Sequence, residues 1–211
     1  MSAKRVAATC VVLTLTACSI GQPIPSVTTY VIEPPKGDAR SAAARSTETL
    51  RIGNVRVAAS YARNSLVYRM SEVQYVADPY HAFIAEPGTM MANRIGEWLD
   101  GARLFKTVAQ PGSAGPAAYV LDATVTELYG DFRQGRRPAA MLAVQFALLD
   151  QTGARSRVVF ERTIASRVDL AEASADALVL GYGKALAEIL SQLAPELSAA
   201  TVREATREAR R

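Results

Sequence analysis

Apolar side chains recur at helical spacing in two stretches of the chain. The first stretch follows Pro87 and carries them at Met91, Ile95, Trp98, Leu99 and Ala102. The second carries them at Leu178, Tyr182, Leu186, Ile189, Leu190 and Leu193. Intervals of three and four residues place such side chains on one face of an α-helix. We therefore predict two amphipathic helices, the first opening at Pro87 and the second ending or kinking at Pro195.

The segment just before the second helix contains a candidate start signal. Asp169 and Glu172 lie three residues apart, a spacing that fits a capping-box-like helix start. After Ser198 the chain alternates Arg, Glu and Ala with few large apolar groups. Residues 198–211 are therefore expected to be a charged tail, either a solvated helical extension or disordered.

Between the two helices, alternating patterns predict β-strands. Tyr119–Thr126 alternates apolar and polar residues, which is typical of a strand with one buried face. Ala140–Leu149 is apolar on both sides, and we expect a central strand covered on both faces. Asp150–Gly153 is a hairpin turn signal, after which Arg157–Val168 is expected to return as a further strand.

Shorter strand signals precede and follow the first helix. They are Ser26–Glu33, Leu50–Val57 with an expected bulge at Gly53, the pair Leu66–Met70 and Val73–Ala77, and Phe105–Val108. Lys36–Thr49, poor in large apolar groups, is expected to be a flexible connection. Together the patterns predict a single α+β domain, a mostly antiparallel sheet with two amphipathic helices packed on one face.

The N-terminus has the three parts of a secretory signal. Lys4 and Arg5 are positive, an apolar run continues to Leu15, and the small residues Thr16 and Ala17 precede Cys18. The apolar run is about half the roughly 20 residues that a membrane-spanning helix needs. A permanent transmembrane helix is therefore not expected here.

Leu15-Thr16-Ala17-Cys18 also resembles the bacterial lipobox, in which a lipid is attached to the cysteine before cleavage just upstream. We predict a signal peptide over 1–17, a lipidated N-terminus and tether over 18–25, and a folded domain over 26–197. The alternative is an ordinary signal peptide with an incidental cysteine. Ser19 replaces the aspartate that retains enterobacterial lipoproteins on the inner membrane, which favours periplasmic anchoring to the outer membrane and leaves the inner membrane as the alternative.

Cysteine content and charge narrow the functional classes. Cys10 and Cys18 are the two cysteines of the chain, so the mature domain would contain no disulfide. Without Lys4 and Arg5, 22 of the 24 basic residues remain against 20 acidic ones, leaving a net charge of +2. Such a balance argues against nucleic acid as a partner, because phosphate binding needs a concentrated basic stripe.

Catalytic and cofactor motifs are scarce. His81 is the single histidine, and the chain contains no Gly-x-Ser-x-Gly. Gly181-Tyr182-Gly183 lacks the strand-turn-helix context of a phosphate-binding loop. We therefore expect no enzyme activity, no cofactor and no metal, with a structural or surface role for His81. Spacing alone cannot select a catalytic carboxylate pair.

The predicted hairpin carries the candidate binding residues. Tyr68, Arg69 and Tyr75 lie on its two short strands. Aromatic side chains there can form a platform for a partner or can serve as packing residues. We keep these three residues as candidates for partner binding.

Several short segments together resemble one protein family. They are the lipobox, Thr29–Pro34, Ile52–Val57, Leu66–Arg69 leading to Tyr75, and Phe83–Pro87 opening a helix. With them the chain resembles the ABC-type transport auxiliary lipoproteins, which include the lipoprotein component of paraquat-inducible, MCE-type lipid-transport systems. The resemblance covers roughly residues 18–197. One departure is Phe83, where members often have tryptophan.

The resemblance implies a non-enzymatic periplasmic component without a cofactor. Its implied partners are an inner-membrane ABC transporter permease and ATPase and an MCE-domain protein, in the transport of lipid across the envelope. A homo-oligomer is left open. The alternatives are a lipoprotein that carries lipid in its own apolar groove and an envelope hydrolase that uses carboxylates or His81.

Overall fold

The computed structural model describes residues 26–35 and 46–208, except for the side chain of Glu208. Three predicted segments lie outside these ranges: the signal peptide, the motif ending at Cys18, and residues 36–45 of the connection.

Within the described ranges the chain forms eight strands and two α-helices. In chain order they are β1 (Thr28–Tyr30), β2 (Thr49–Val57), β3 (Ser65–Arg69), β4 (Tyr75–Phe83), α1 (Pro87–Ala102), β5 (Thr107–Ala109), β6 (Tyr119–Asp131), β7 (Ala139–Asp150), β8 (Arg157–Asp169) and α2 (Ala175–Glu208). A short 3-10 helix at Ala59–Tyr61 follows β2. The α+β prediction is confirmed.

All eight strands belong to one sheet built around β6. The two longest pairings, β6 with β7 and β7 with β8, are antiparallel, as is the β3–β4 hairpin. The other edge of β6 is shared: its first half pairs with β2 and its last two residues pair with β3, both in parallel. β5 extends the sheet beyond β2, and β1 extends it beyond β4. The predicted bulge in β2 is present, between Ile52 and Val55.

The core lies between one face of this sheet and the two helices. Leu142, Val144, Phe146 and Leu148 of β7 are completely buried on that face. The opposite side of β7 is covered less well than expected, because Met141, Gln145, Ala147 and Leu149 are only partly buried. Neither α-helix packs on that side, so we call it the open face of the sheet.

Helix α2 differs from its predicted limits at both ends. Asp169 ends β8, and the helix starts after Ser174, whose Oγ accepts a hydrogen bond from the Ala177 N–H at 3.2 Å. The expected capping box at Asp169 is therefore replaced by an ordinary serine cap. At the other end the helix runs through Pro195 to Glu208, and Ser198 and Thr201 are buried. The folded part of the chain thus extends past the boundary expected at residue 197.

The two glycines around Tyr182 let α2 approach the sheet closely. A Cβ at Gly183 would lie 2.4 Å from the carbonyl oxygen of Glu33, and one at Gly181 would lie 2.7 Å from the Ala140 Cβ. These glycines therefore have a packing role, which agrees with the expectation that they form no phosphate-binding loop.

Gly183→Ala should destabilise the domain by about 1–3 kcal/mol, because the backbone at Glu33 must move away from the new methyl group. The matched control is Gly101→Ala in α1, where a Cβ meets no atom within 4 Å. That change should stabilise the helix by about 0.5–1 kcal/mol. Urea unfolding of both variants measures the difference, and equal stabilities would contradict the close approach.

Candidate functional site

The three residues proposed for partner binding do not form one site. Tyr68 and Arg69 are consecutive on β3, so their side chains point to opposite faces of the sheet. Arg69 pairs with Tyr75 of β4, on the open face. Tyr68 points to the helix side, where it lines a pocket beside the start of α2. The prediction of a partner site over all three residues stays untested, and the structure divides it between two surfaces.

The first surface is an aromatic cluster on the open face. The ring of Tyr75 packs edge-on against Tyr129 of β6 at 5.4 Å, and Tyr61 stacks on Tyr129 at 6.0 Å. The Arg69 guanidinium lies 5.6 Å from the centre of the Tyr75 ring. We call Tyr61, Arg69, Tyr75 and Tyr129 the tyrosine patch.

The hydroxyls of Tyr61 and Tyr129 are held neutral. Partial burial, followed by the neighbouring Tyr75, Tyr129 and Glu127, raises the pKa of Tyr61 to about 12. Burial and the charge of Glu127 also raise the pKa of Tyr129, against the opposing effect of Arg69. The patch thus offers neutral aromatic surface and hydrogen-bonding hydroxyls beside a cation, a composition common at protein interfaces.

A buried carboxylate anchors the arginines next to this patch. Asp131, at the end of β6, accepts two hydrogen bonds from Arg133, at 2.7 and 2.6 Å, and a third from Arg167 at 3.2 Å. Arg133 also reaches Glu72 in the β3–β4 turn at 2.6 Å. The hydrogen bonds from Arg133 are the main reason that the pKa of Asp131 is lowered, to about 2. This network ties the ends of β6 and β8 to the hairpin turn.

The lowered pKa of Asp131 predicts a loss of stability in acid. Because the folded-state pKa is below the ordinary value of 3.8, its contribution is complete above pH 4 and is lost as the pH falls towards 2. The shift corresponds to about 2 kcal/mol. We expect Asp131→Asn to be less stable than the wild type by about this amount at pH 7. The difference should shrink near pH 2, as measured by urea unfolding; a difference independent of pH would contradict the coupling.

The second surface is an open pocket of about 430 Å³ on the helix side of the sheet. Its walls include Tyr30, Tyr68 and Phe132, and Asp78 and His81 lie among them. Tyr68 stacks on Phe132 at 5.0 Å. Residues 173–176, at the start of α2, close its other side. The pocket is mixed in polarity, because both aromatic and carboxylate side chains line it.

Asp78 organises the polar side of this pocket. Its Oδ2 accepts the Tyr68 hydroxyl at 2.5 Å and lies 2.7 Å from His81 Nδ1, while its Oδ1 accepts the backbone N–H of Tyr80 at 2.7 Å. Burial alone would raise the pKa of Asp78, but these hydrogen bonds outweigh it and leave the pKa below its usual value. The same burial and bond raise the pKa of Tyr68.

The pocket contains a histidine that is oriented by a carboxylate. Among the described residues that line it, the structure shows no activated nucleophile. Ser174 is the serine among the lining residues, and its hydroxyl donates to Glu172 at 2.9 Å. It also accepts the capping hydrogen bond of α2. A nucleophilic serine would instead have its proton directed at the histidine. The described residues also contain no group of His, Asp and Glu arranged to hold a metal ion.

Sequence reasoning missed the residues that complete both surfaces. Its patterns do not single out Tyr129 or Phe132, and the strand predicted up to Ala77 stops short of Asp78, which lies within β4. An available signal is the Asp78-Pro79 pair, since an aspartate before proline often turns back to bind nearby backbone N–H groups. No sequence signal announces that Tyr61 meets Tyr129, because they come from different elements.

The described helices include none that is both long and apolar enough to cross a membrane.

The sequence model of one protein family matches residues 30–194 of this chain. That family is the ABC-type transport auxiliary lipoprotein component. No significant match to a curated protein was found. Among solved structures, protein XCC0632 from Xanthomonas campestris superposes with a TM-score of 0.70 at 15% identity, over 86% of this chain and 97% of that one. An uncharacterised protein superposes with a TM-score of 0.64 at 18% identity, over 82% and 99%. At these identities the two structures establish the fold alone, while the family model covers most of the chain. The chain therefore belongs to the family of ABC-type transport auxiliary lipoprotein components.

Proposed function

We propose that this protein is a lipid-anchored, non-enzymatic auxiliary component of an ABC-type lipid-transport system that includes an MCE-domain protein. The observation that carries the proposal is the family match over residues 30–194. ATP hydrolysis would belong to the transporter, because the chain has no Gly-x-x-x-x-Gly-Lys-[Ser/Thr] loop.

The attachment point in this proposal is Cys18. Two acyl chains hold a protein firmly on a bilayer, whereas one binds only marginally, and bacterial lipoproteins typically carry three. Ser19 favours the periplasmic face of the outer membrane, with the inner membrane as the alternative. A tethered domain searches only the volume that its tether allows, which raises its effective concentration near a partner complex.

The tyrosine patch is the surface we propose for the protein partner. Its aromatic rings and the Arg69 cation have the composition of an interface centre. They lie on the face of the sheet that neither α-helix covers. Tyr68, on the other face, would act indirectly by holding Asp78 and the strand that carries Tyr75.

Affinity purification of the full chain with Cys18 intact, from crosslinked envelopes, tests this function. Permease, ATPase or MCE-domain subunits should be recovered with the wild type and reduced several-fold with Tyr75→Ala. Tyr80→Ala is the matched control, because Tyr80 lies on the same strand and is 50% exposed against 44% for Tyr75. Recovery of none of these subunits with the wild type would refute the proposal.

A lipid-carrying groove between sheet and helices receives no support from the described core. Phe146 and Leu142 of β7 and Tyr182 and Leu186 of α2 are fully buried there, so large side chains fill the space between these elements. Such packing leaves little room for an acyl chain at this position.

The His81–Asp78 pair keeps an envelope hydrolase as a second candidate. His81 lines a pocket. A position remote from any pocket would have counted against the hydrolase. Transport-linked function should be retained in His81→Ala if the histidine is structural. Loss of a hydrolytic activity towards an envelope ester in this variant, with folding unchanged, would favour the hydrolase instead.

A further inference from the structure

The turn between β3 and β4 exposes apolar side chains at one end of the domain. Val73 is 91% exposed, and Met70 beside it is exposed as well. The turn is fixed by hydrogen bonds: the Met70 N–H donates to the Gln74 carbonyl at 2.8 Å, and the Gln74 N–H donates to Ser71 Oγ at 3.1 Å. An ordered turn thus presents a large apolar side chain to its surroundings, which is unfavourable in water.

Arginines and a tyrosine surround this apolar tip. The neighbouring loop, residues 132–138, is bound to the turn through the Phe132 N–H and the Arg69 carbonyl at 2.9 Å and through Arg133 and Glu72. Because the buried Asp131 neutralises Arg133, the two loops present Arg136 and Arg137 against Glu72, a local charge of +1. The exposed acidic residues Glu172 and Asp176 lie at the start of α2, on the pocket side of the same end.

Tyr75 and Arg69 form the next layer, directly behind the turn. Arg69 ends β3 and Tyr75 begins β4, and the guanidinium lies over the ring. Both residues belong to the tyrosine patch, so the surface proposed for the protein partner begins directly behind the turn, above the level at which the turn would meet a bilayer. An apolar tip with the exposed Arg136 and Arg137 beside it matches the polarity profile of an anionic bilayer surface.

The direction of β1 brings the expected anchor to this same end. β1 runs parallel to β4, with Thr28 beside His81, and β4 starts at Tyr75 next to the turn. Followed backwards from Thr28, the chain therefore points towards the turn. Because of the register shift in β4, Tyr75 to Ala82 lies opposite only Arg69 to Ser65 of β3, a distance of about 13 Å at 3.3 Å per residue of β3. The ten residues from Cys18 to Thr28 can span at most about 33–36 Å, enough to reach the level of the turn.

We propose that the β3–β4 turn is a membrane-contact element, which inserts Val73 and Met70 into the surface of an anionic phospholipid bilayer while the exposed Arg136 and Arg137 meet its phosphates. The inference rests on the anchoring at Cys18 that we proposed above and adds an orientation to it. The domain would stand with the turn on the membrane and the C-terminal end of α2 pointing away.

Site-directed fluorescence quenching tests this orientation in the lipidated full-length protein. With Cys18 acylated, Val73→Cys supplies the only free thiol of the mature chain, which can be labelled with a small fluorophore. Val158→Cys is the matched control, because this valine is 53% exposed at the start of β8, at the opposite end of the sheet. Both are reconstituted into phosphatidylethanolamine–phosphatidylglycerol vesicles that contain nitroxide-labelled lipid, and flotation verifies attachment.

We expect quenching at position 73 at least threefold stronger than at position 158, and weaker quenching at 73 when phosphatidylcholine replaces the anionic lipid. Weak quenching at both positions, as when the turn contacts a protein, overturns the proposal. Stronger quenching at position 158 overturns it too, and equal quenching at 73 in both kinds of vesicle overturns its anionic part. A failure of partner purification leaves this result unaffected, so the two proposals fail separately.

Discussion

Replacing Cys18 by alanine should move the protein from the membrane fraction to the soluble periplasmic fraction. At about 0.8 kcal/mol per buried CH2, the acyl chains supply almost all of the membrane affinity in this proposal. The tip residues Val73 and Met70 would add about 1.5–3 kcal/mol each at most. This contribution is too small to offset the roughly 4–15 kcal/mol that association costs in lost translational and rotational freedom. We expect the membrane-bound share to fall at least about tenfold, measured by fractionation and immunoblotting.

Two further proteins make this experiment decisive. Cys10→Ala is the control, because Cys10 lies within the predicted signal peptide and should not affect anchoring. The second test protein consists of residues 19–211 exported behind a cleavable secretory leader. It is needed because the cysteine also directs cleavage, and an uncleaved leader could keep the Cys18 variant on the membrane. Unchanged fractionation of this second protein would refute the lipid anchor and support an ordinary signal peptide.

Tyr182→Ala should cause a larger loss of stability than either Gly183→Ala or Asp131→Asn. Tyr182 is a large, fully buried side chain of the core, and its ring lies 6.2 Å from that of Phe83. Its removal opens a cavity between α2 and the sheet that close packing on Gly181 and Gly183 prevents from collapsing. Truncation of a buried aromatic residue costs about 3–5 kcal/mol of unfolding free energy. Urea unfolding followed by circular dichroism measures this loss.

Tyr182→Phe is the matched control and should act in the opposite direction. The Tyr182 hydroxyl is buried and has no hydrogen-bond partner among the described residues. A buried hydroxyl without a partner costs about 1–3 kcal/mol. We therefore expect Tyr182→Phe to be as stable as the wild type or up to about 1 kcal/mol more stable. A loss of more than that amount would show that the hydroxyl is hydrogen-bonded after all.

The elements of the fold were predictable because their local patterns are strong. The apolar stripe from Met91 to Ala102 and the start at Pro87 predicted α1 with correct limits. The alternation of Tyr119–Thr126 predicted β6 but stopped short of its end at Asp131. Pro195 did not end α2, because the helix packs on the core up to Thr201 and tertiary contacts outweigh the missing hydrogen bond.

The candidate site was predictable only in part. The hairpin that carries Tyr68, Arg69 and Tyr75 was expected at the right place. Its division into two surfaces follows from the alternation of side chains along β3, but the partners on each surface come from distant elements. Tyr129 reaches Tyr75 because β6 and β3 pair in parallel, a long-range pairing that no local pattern encodes.

The sequence by itself determined the class of the domain, most of its secondary structure and the family resemblance that the family match confirms, and it predicts the anchor at Cys18. These properties depend on short-range periodicity and on contiguous motifs. Only the tertiary structure decided that the tyrosine patch, the Asp78 pocket and the exposed β3–β4 turn exist and where they lie relative to β1. The physical reason is that sheet register and close helix approach join residues as far as 150 positions apart, such as Glu33 and Gly183, and local propensities do not specify such contacts.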